Sequence, residues 1–237
     1  MIRFKARSTE KEFMDDLSLD KDQIKAILKD IRLTNKWLGG NNITIRALDR
    51  IFKEHPREKY TILDIGCGDG SMLREVADHC NKKNIHTQLI GLDLNEKSIN
   101  IAREYSHSYG NIEYRIKDVL SLEPEELQCD ILLCTLTLHH FSEEQIHTFV
   151  KKFALLTNIG IIVNDLDRNK IGFVLFKLLS QVFMKTSIAK HDGLISIKSG
   201  FTSKDFRRFS RTVPAMDHKV MWRWAFRYEW VLTHPNT

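Results

Sequence analysis

The chain has 237 residues, 42% of them hydrophobic and 28% charged, with a formal net charge of +5. That length suits one α/β domain with an appendage, and the apolar share is enough for a full core. A pI near 8.9 is too mild for a nucleic-acid-binding tail, and no apolar run is long enough to span a bilayer.

In chain order, Ser8 or Thr9 is expected to cap a short helix through Met14. A second helix opens at Leu19-Asp20 and carries Ile24, Ile27, Leu28 and Ile31 at helical spacing. Trp37-Leu-Gly-Gly40 stops it, a third begins at Asn41-Asn42, and Pro56 closes that segment. Residues 1–57 thus read as an N-terminal helical cap, and 58–237 as the main domain. From Tyr60, short apolar runs alternate with helices: strand 60–64, helix 71–80, strand 86–93, helix 96–106, then strand 112–116. Strand 129–135, helix 143–156 and strand 159–164 continue the rhythm. Such alternation predicts a parallel sheet with helices on both faces. An apolar helix over about 170–185 then leads into a loop containing Gly193 and Gly200. Ser203 caps a short helix through Phe209, and the alternating tail Lys219–Leu232 reads as a last strand or hairpin.

Four cysteines (Cys67, Cys80, Cys129, Cys134) show neither a C-x-x-C pair nor metal-ligand spacing, so a reducing compartment and no metal are expected. The opening Met1-Ile-Arg-Phe-Lys-Ala-Arg7 lacks the apolar core of a signal peptide, which predicts a cytoplasmic protein without integral membrane association.

The most specific pattern is Asp64-Ile-Gly-Cys-Gly-Asp-Gly70, where an apolar strand runs into an acid and three glycines spaced two apart. A second strand ends on Asp93 in Gly91-Leu-Asp-Leu94. Gly66, Gly68 and Gly70 let the backbone approach a ligand where a Cβ would clash. A carboxylate at the next strand tip suits a ribose diol. The spacing G-x-G-x-G departs from the nicotinamide fingerprint G-x-G-x-x-G, and Asp64 would repel a pyrophosphate while welcoming an ammonium.

These residues resemble motif I and the following acidic loop of class I SAM-dependent methyltransferases, firmly over about 60–165 and loosely in the flanks. The resemblance implies a Rossmann-like, doubly wound α/β fold with a seven-stranded sheet whose last strand is antiparallel. It also implies that the N-terminal helices and a lid insertion at about 168–200 cover the cofactor, S-adenosylmethionine (SAM). By resemblance Asp64, Gly66, Cys67, Gly68 and Gly70 hold the methionine end. Asp93 with Leu94 takes the ribose, Asp118 accepts the adenine amino group, Val119 flanks the ring, and Thr135 lines the pocket.

The fourth strand exits into Leu138-His-His-Phe141, and histidine is the side chain best suited to remove a proton near neutral pH. His139 and His140 are both candidate bases. Asn164, Asp165 and Arg168 end the fifth strand on the expected substrate side, where Arg168 has a structural ion pair as its alternative. Phe173, Phe176, Leu179 and Phe183 run at helical spacing through the lid. The expected reaction is O-methylation of a small, hydroxylated, partly apolar acceptor, phenol- or polyketide-like. C-methylation of a quinone precursor and a non-catalytic SAM-binding role are the alternatives. The fourth tip lacks the N/D-P-P-Y/F/W pattern of base methylation, so no nucleic-acid partner is expected. A homodimer is carried as an expectation.

Overall fold

The computed structural model describes residues 4–16, 18–122 and 127–235. Asp20 opens α1 (Lys21–Trp37) with a capping box, its carboxylate accepting from the Gln23 N–H while Gln23 reaches back. Gly39, left-handed at φ 68°, turns the chain directly into α2 (Gly40–Glu54). The α/β core follows as β1 (Lys59–Ile65), α3 (Ser71–Lys82), β2 (His86–Asp93), α4 (Glu96–Tyr105), β3 (Ile112–Ile116), β4 (Cys129–Thr135), α5 (Glu143–Leu156) and β5 (Thr157–Leu166). It closes with α6 (Lys170–Phe183), α7 (Ser187–Ser199), α8 (Ser203–Ser210), β6 (Asp217–Arg223) and β7 (Arg227–Thr233).

The seven strands form one sheet in the order β3-β2-β1-β4-β5-β7-β6. Six run parallel, and β7 is inserted antiparallel between β5 and β6. Strand order reverses between β1 and β4, which places the crevice over their carboxyl ends.

Neighbouring residues on each central strand face opposite layers. Ile62, Ile131 and Leu133 join Leu48, Ile51, Leu73 and Val76 beneath α2 and α3. Leu63, Leu132 and Cys134 join Phe149, Phe153, Phe206 and Trp230 on the other face. Burial on both faces explains why these strands read as continuous apolar runs.

Two expectations need correction. Residues 8–14 form no helix; the chain runs extended into a single 3-10 turn at Phe13–Asp15. The Phe13 and Met14 N–H groups donate to Asp192 at 2.9 and 2.8 Å, and the Ser8 N–H donates to the Lys198 carbonyl, so α7 supplies the partners a helix would have. The stretch read as a loop around Gly193 is α7. There the glycine is a packing device, since a Cβ would stand 2.2 Å from the Phe176 ring.

Buried Asp30 ties α1 to the α6–α7 junction, accepting from the Lys185 N–H, the Thr186 N–H and the Thr186 hydroxyl at 2.8–2.9 Å. Asp30→Ala strands these donors and is expected to cost about 3 kcal/mol. A thermal melt should then fall by roughly 6–12 °C.

Candidate active site

The glycine turn is shaped from two sides. The Gly66 and Cys67 N–H groups both donate to the Leu92 carbonyl at 2.8 and 3.0 Å. The Gly68 N–H donates to Asp93 Oδ2, and the Asn95 N–H to Asp93 Oδ1, both at 2.9 Å. Gly66, Gly68 and Gly70 all adopt left-handed φ, of 68°, 54° and 73°. A Cβ would stand 2.5 Å from the Thr137 side chain at Gly66 and 2.1 Å from the Tyr114 hydroxyl at Gly70. No side chain is tolerated at either position without moving these neighbours.

The turn floors a cavity of about 1210 Å³ that receives Asp64, Asp93, Leu94, Asp118, Val119 and Thr135. Asp64 is buried, and burial pushes its carboxyl up to about 8, with the Asp93 charge adding to the effect. Asp93 is raised as well, by burial, against the two N–H bonds it accepts. Asp118 accepts the Leu120 N–H at 2.8 Å, and Val119 beside it is buried. Thr135 meets the Thr44 hydroxyl at 3.3 Å, and Leu94 stands at the exposed edge. A buried and a half-buried carboxylate, Asp64 and Asp93, thus stand at neighbouring strand tips beside the turn and the apolar shelf of Val119. The nearby guanidiniums, Arg32 and Arg74, are both paired with Asp69 rather than set for a pyrophosphate.

Above this floor lies a buried polar cluster. His139 Nδ1 is 2.7 Å from Asp165 Oδ1, and its own backbone N–H donates to Asp165 Oδ2 at 3.2 Å. His139 Nε2 faces Glu12 Oε1 at 3.3 Å, and Glu12 accepts the Ser196 hydroxyl at 2.5 Å. Burial by itself would lower His139, but the charges and hydrogen bonds of Asp165 and Glu12 outweigh it and lift it to about 10. Burial works to raise Glu12 and Asp165, yet His139 holds both below the ordinary carboxylate range. His140 lies nearer solvent, 3.3 Å from Asp15 and 3.9 Å from Glu12.

The linkage has a definite sign. His139 is raised, so its contribution to stability is full below its ordinary value of 6.5 and fades as pH climbs toward about 10. Glu12 and Asp165 are lowered, and their contribution is lost only in acid, below their ordinary 4.5 and 3.8. Melting temperatures should therefore decline on the alkaline side of neutrality, and His139→Gln should flatten that decline.

Of the residues read as substrate contacts, only Asp165 joins this cluster, and it does so through His139. Asn164 donates instead to the Gly40 carbonyl and the Thr44 hydroxyl at 2.9 and 3.0 Å. Arg168 pairs with Asp205 at 3.3 Å and donates to the Phe4 and Gly200 carbonyls. Neither lines the cavity. Phe176, Leu179 and Phe183 do, whereas Phe173 packs edge-on against Phe4. Ser196, Asp192 and Tyr114 carry no recognisable spacing that would have marked them in advance.

A family model described as a methyltransferase domain matches residues 62–160, the stretch holding the glycine turn and both strand-tip acids. That stretch is a methyltransferase domain, similar to those of the class I SAM-dependent enzymes. The ubiquinone biosynthesis O-methyltransferase of Coxiella burnetii is 27% identical over 111 residues, which cover 46% of this chain and 44% of that one. Malonyl-acyl-carrier-protein O-methyltransferase 1 of Ilyobacter polytropus is 24% identical over 157 residues, covering 66% and 56%. The matched stretch thus spans about half the length of these relatives. Among solved structures, the plantazolicin methyltransferase BpumL in complex with SAH covers 94% of this chain and 98% of its own, with TM-score 0.65 and 13% identity. The magnesium protoporphyrin IX methyltransferase of Synechocystis PCC 6803 with bound SAH follows at TM-score 0.58 and 16% identity, covering 83% and 84%. The methyltransferase fold thus extends over nearly the whole chain.

Proposed function

We propose that this methyltransferase moves the methyl group of SAM onto a hydroxyl of a small, partly apolar acceptor, with His139 as general base. The observation that carries this reading is the Asp165–His139–Glu12 row at the roof of the SAM floor. When bound, SAM supplies an electrophilic methyl on its sulfonium. Asp165 fixes the ring by holding Nδ1, leaving Nε2 aimed at the cavity side. An acceptor hydroxyl that takes the place of Glu12 at Nε2 removes one of the two carboxylates that hold His139 protonated, so the ring can release its Nε2 proton to solvent and then accept the proton of the hydroxyl. That is a base oriented by an acid, the arrangement that activates oxygen nucleophiles elsewhere. Leu175, Phe176, Leu179 and Phe183 offer the acceptor an apolar wall on the lid side. Excluding water there strengthens every charge interaction beneath.

The 1–57 cap and the 168–200 insertion are proposed to act together as the lid. Supporting this, Arg7 donates to the carbonyls of Ser199, His139 and Phe141, strapping the N-terminal segment across α7 and the site.

The test is methyl transfer from labelled SAM into a cell extract and a panel of phenols and polyketide-like hydroxylated compounds. Label in a small apolar product, with an oxygen–methyl bond on analysis, agrees with the proposal. A carbon–methyl product would change the acceptor atom, and label in protein or nucleic acid, or none, would contradict it.

A further inference from the structure

Helix α6 is apolar over most of its circumference, with Lys170, Lys177 and Gln181 gathered along one exposed edge. One side faces the cavity, through Leu175, Phe176 and Leu179. The other is open: Ile171 is 64%, Val174 54% and Leu178 64% exposed, and Val182, 77% exposed, stands where this side meets the cavity rim. These four recur at three- and four-residue spacing and make one continuous stripe. At the end of α6, on the cavity side, Phe183 packs against Trp37 with ring centroids 5.2 Å apart. Trp37 and Trp224, exposed by 72% and 65%, stand on the cavity rim. An apolar patch of this kind marks an interaction surface.

Charge decides among occupants. No aspartate or glutamate occurs from Arg168 to His191, while Lys170, Lys177 and Lys185 are all exposed. A second copy seated here about a two-fold axis would set those lysines against their own counterparts, with no acid on α6 to pair them. An anionic surface meets them favourably. Tryptophan rings beside lysines are the composition found at the headgroup level of bilayers. At 14 residues, α6 is about 21 Å long, short of the ~30 Å hydrocarbon core, and no helix among the described residues is long and apolar enough to cross a membrane.

We infer that the outer face of α6, with Trp37 and Trp224, docks this protein on the surface of a bilayer containing anionic phospholipid, α6 lying in the interface plane. The headgroups meet Lys170, Lys177 and Lys185, and the stripe enters the acyl boundary. The docking itself stands apart from the proposed reaction. Its consequence for an apolar acceptor, entry from the bilayer past the tryptophan rim, rests on that reading.

The experiment is flotation of the full chain with phosphatidylcholine vesicles, with and without phosphatidylglycerol, at low and high salt. The expected result is binding that phosphatidylglycerol strengthens and salt weakens, with tryptophan emission quenched by brominated acyl chains. Val174→Glu with Leu178→Glu, two positions outside the cavity lining, should lower partitioning about tenfold or more and leave SAM binding unchanged. Should that pair fail to fold, Lys170→Glu with Lys177→Glu reads the same surface through the loss of anionic preference. Absent wild-type binding, or binding indifferent to both pairs, overturns the inference. A wild-type dimer that the glutamate pair converts to monomer also overturns it, in favour of a second copy.

Discussion

Alanine in place of His139 is expected to lower turnover roughly 10²- to 10⁴-fold while leaving SAM affinity within a factor of a few. The reason is positional. His139 sits on the roof of the cavity with its ring held by Asp165 at 2.7 Å, and it takes no part in shaping the glycine turn. Asp165→Asn keeps the shape but removes the charge that orients and raises the ring, so it should lose a large part of the same factor. His140, nearer solvent and paired with Asp15, should tolerate alanine with little loss. Glu12→Gln adds a test of sign. Removing that carboxylate lowers His139, so the acid limb of the pH–rate profile should move to lower pH. Initial rates with an acceptor found by the labelling screen measure all four.

Asp93→Ala is expected to weaken SAM binding by roughly 10²-fold or more, the largest effect on cofactor affinity in the chain. Two losses combine there. The ribose diol loses its acceptor, with each charge-assisted bond worth roughly 1.5–3 kcal/mol. The Gly68 and Asn95 N–H groups lose theirs as well, so the turn that frames the methionine end loosens. Asp93→Asn separates the two, because it retains an oxygen for one N–H while removing the charge. Equilibrium titration of the three proteins with SAM checks the order wild type, asparagine, alanine.

What the sequence reveals about this site follows from how local each signal is. The glycine turn and the two strand-tip acids lie within consecutive elements, and β1, β2, β4 and α5 appear where apolar runs and caps place them. The α7 helix was hidden because Gly193 and Gly200 resemble loop residues. One is spared a side chain by Phe176, and the other follows the helix's end. Glu12 was hidden as a site residue for a different reason. Its partners His139 and Ser196 are more than a hundred residues away, and the strap that brings them together is held by backbone hydrogen bonds to α7. At the tip of β5 the alternation of a strand separates neighbours: Asn164 turns toward α2 and Asp165 toward His139. Adjacent polar letters did not mean a shared surface.

The claim on which the rest depends is that the cavity over β1 and β4 takes SAM and not a dinucleotide. Calorimetric titration of the purified chain with SAM, alongside NADH, tests it most directly. Micromolar binding of SAM with no heat from NADH is the predicted result. No SAM binding, or binding of NADH of similar strength, would contradict the placement of the cofactor and with it the roles of Asp64, Asp93 and His139.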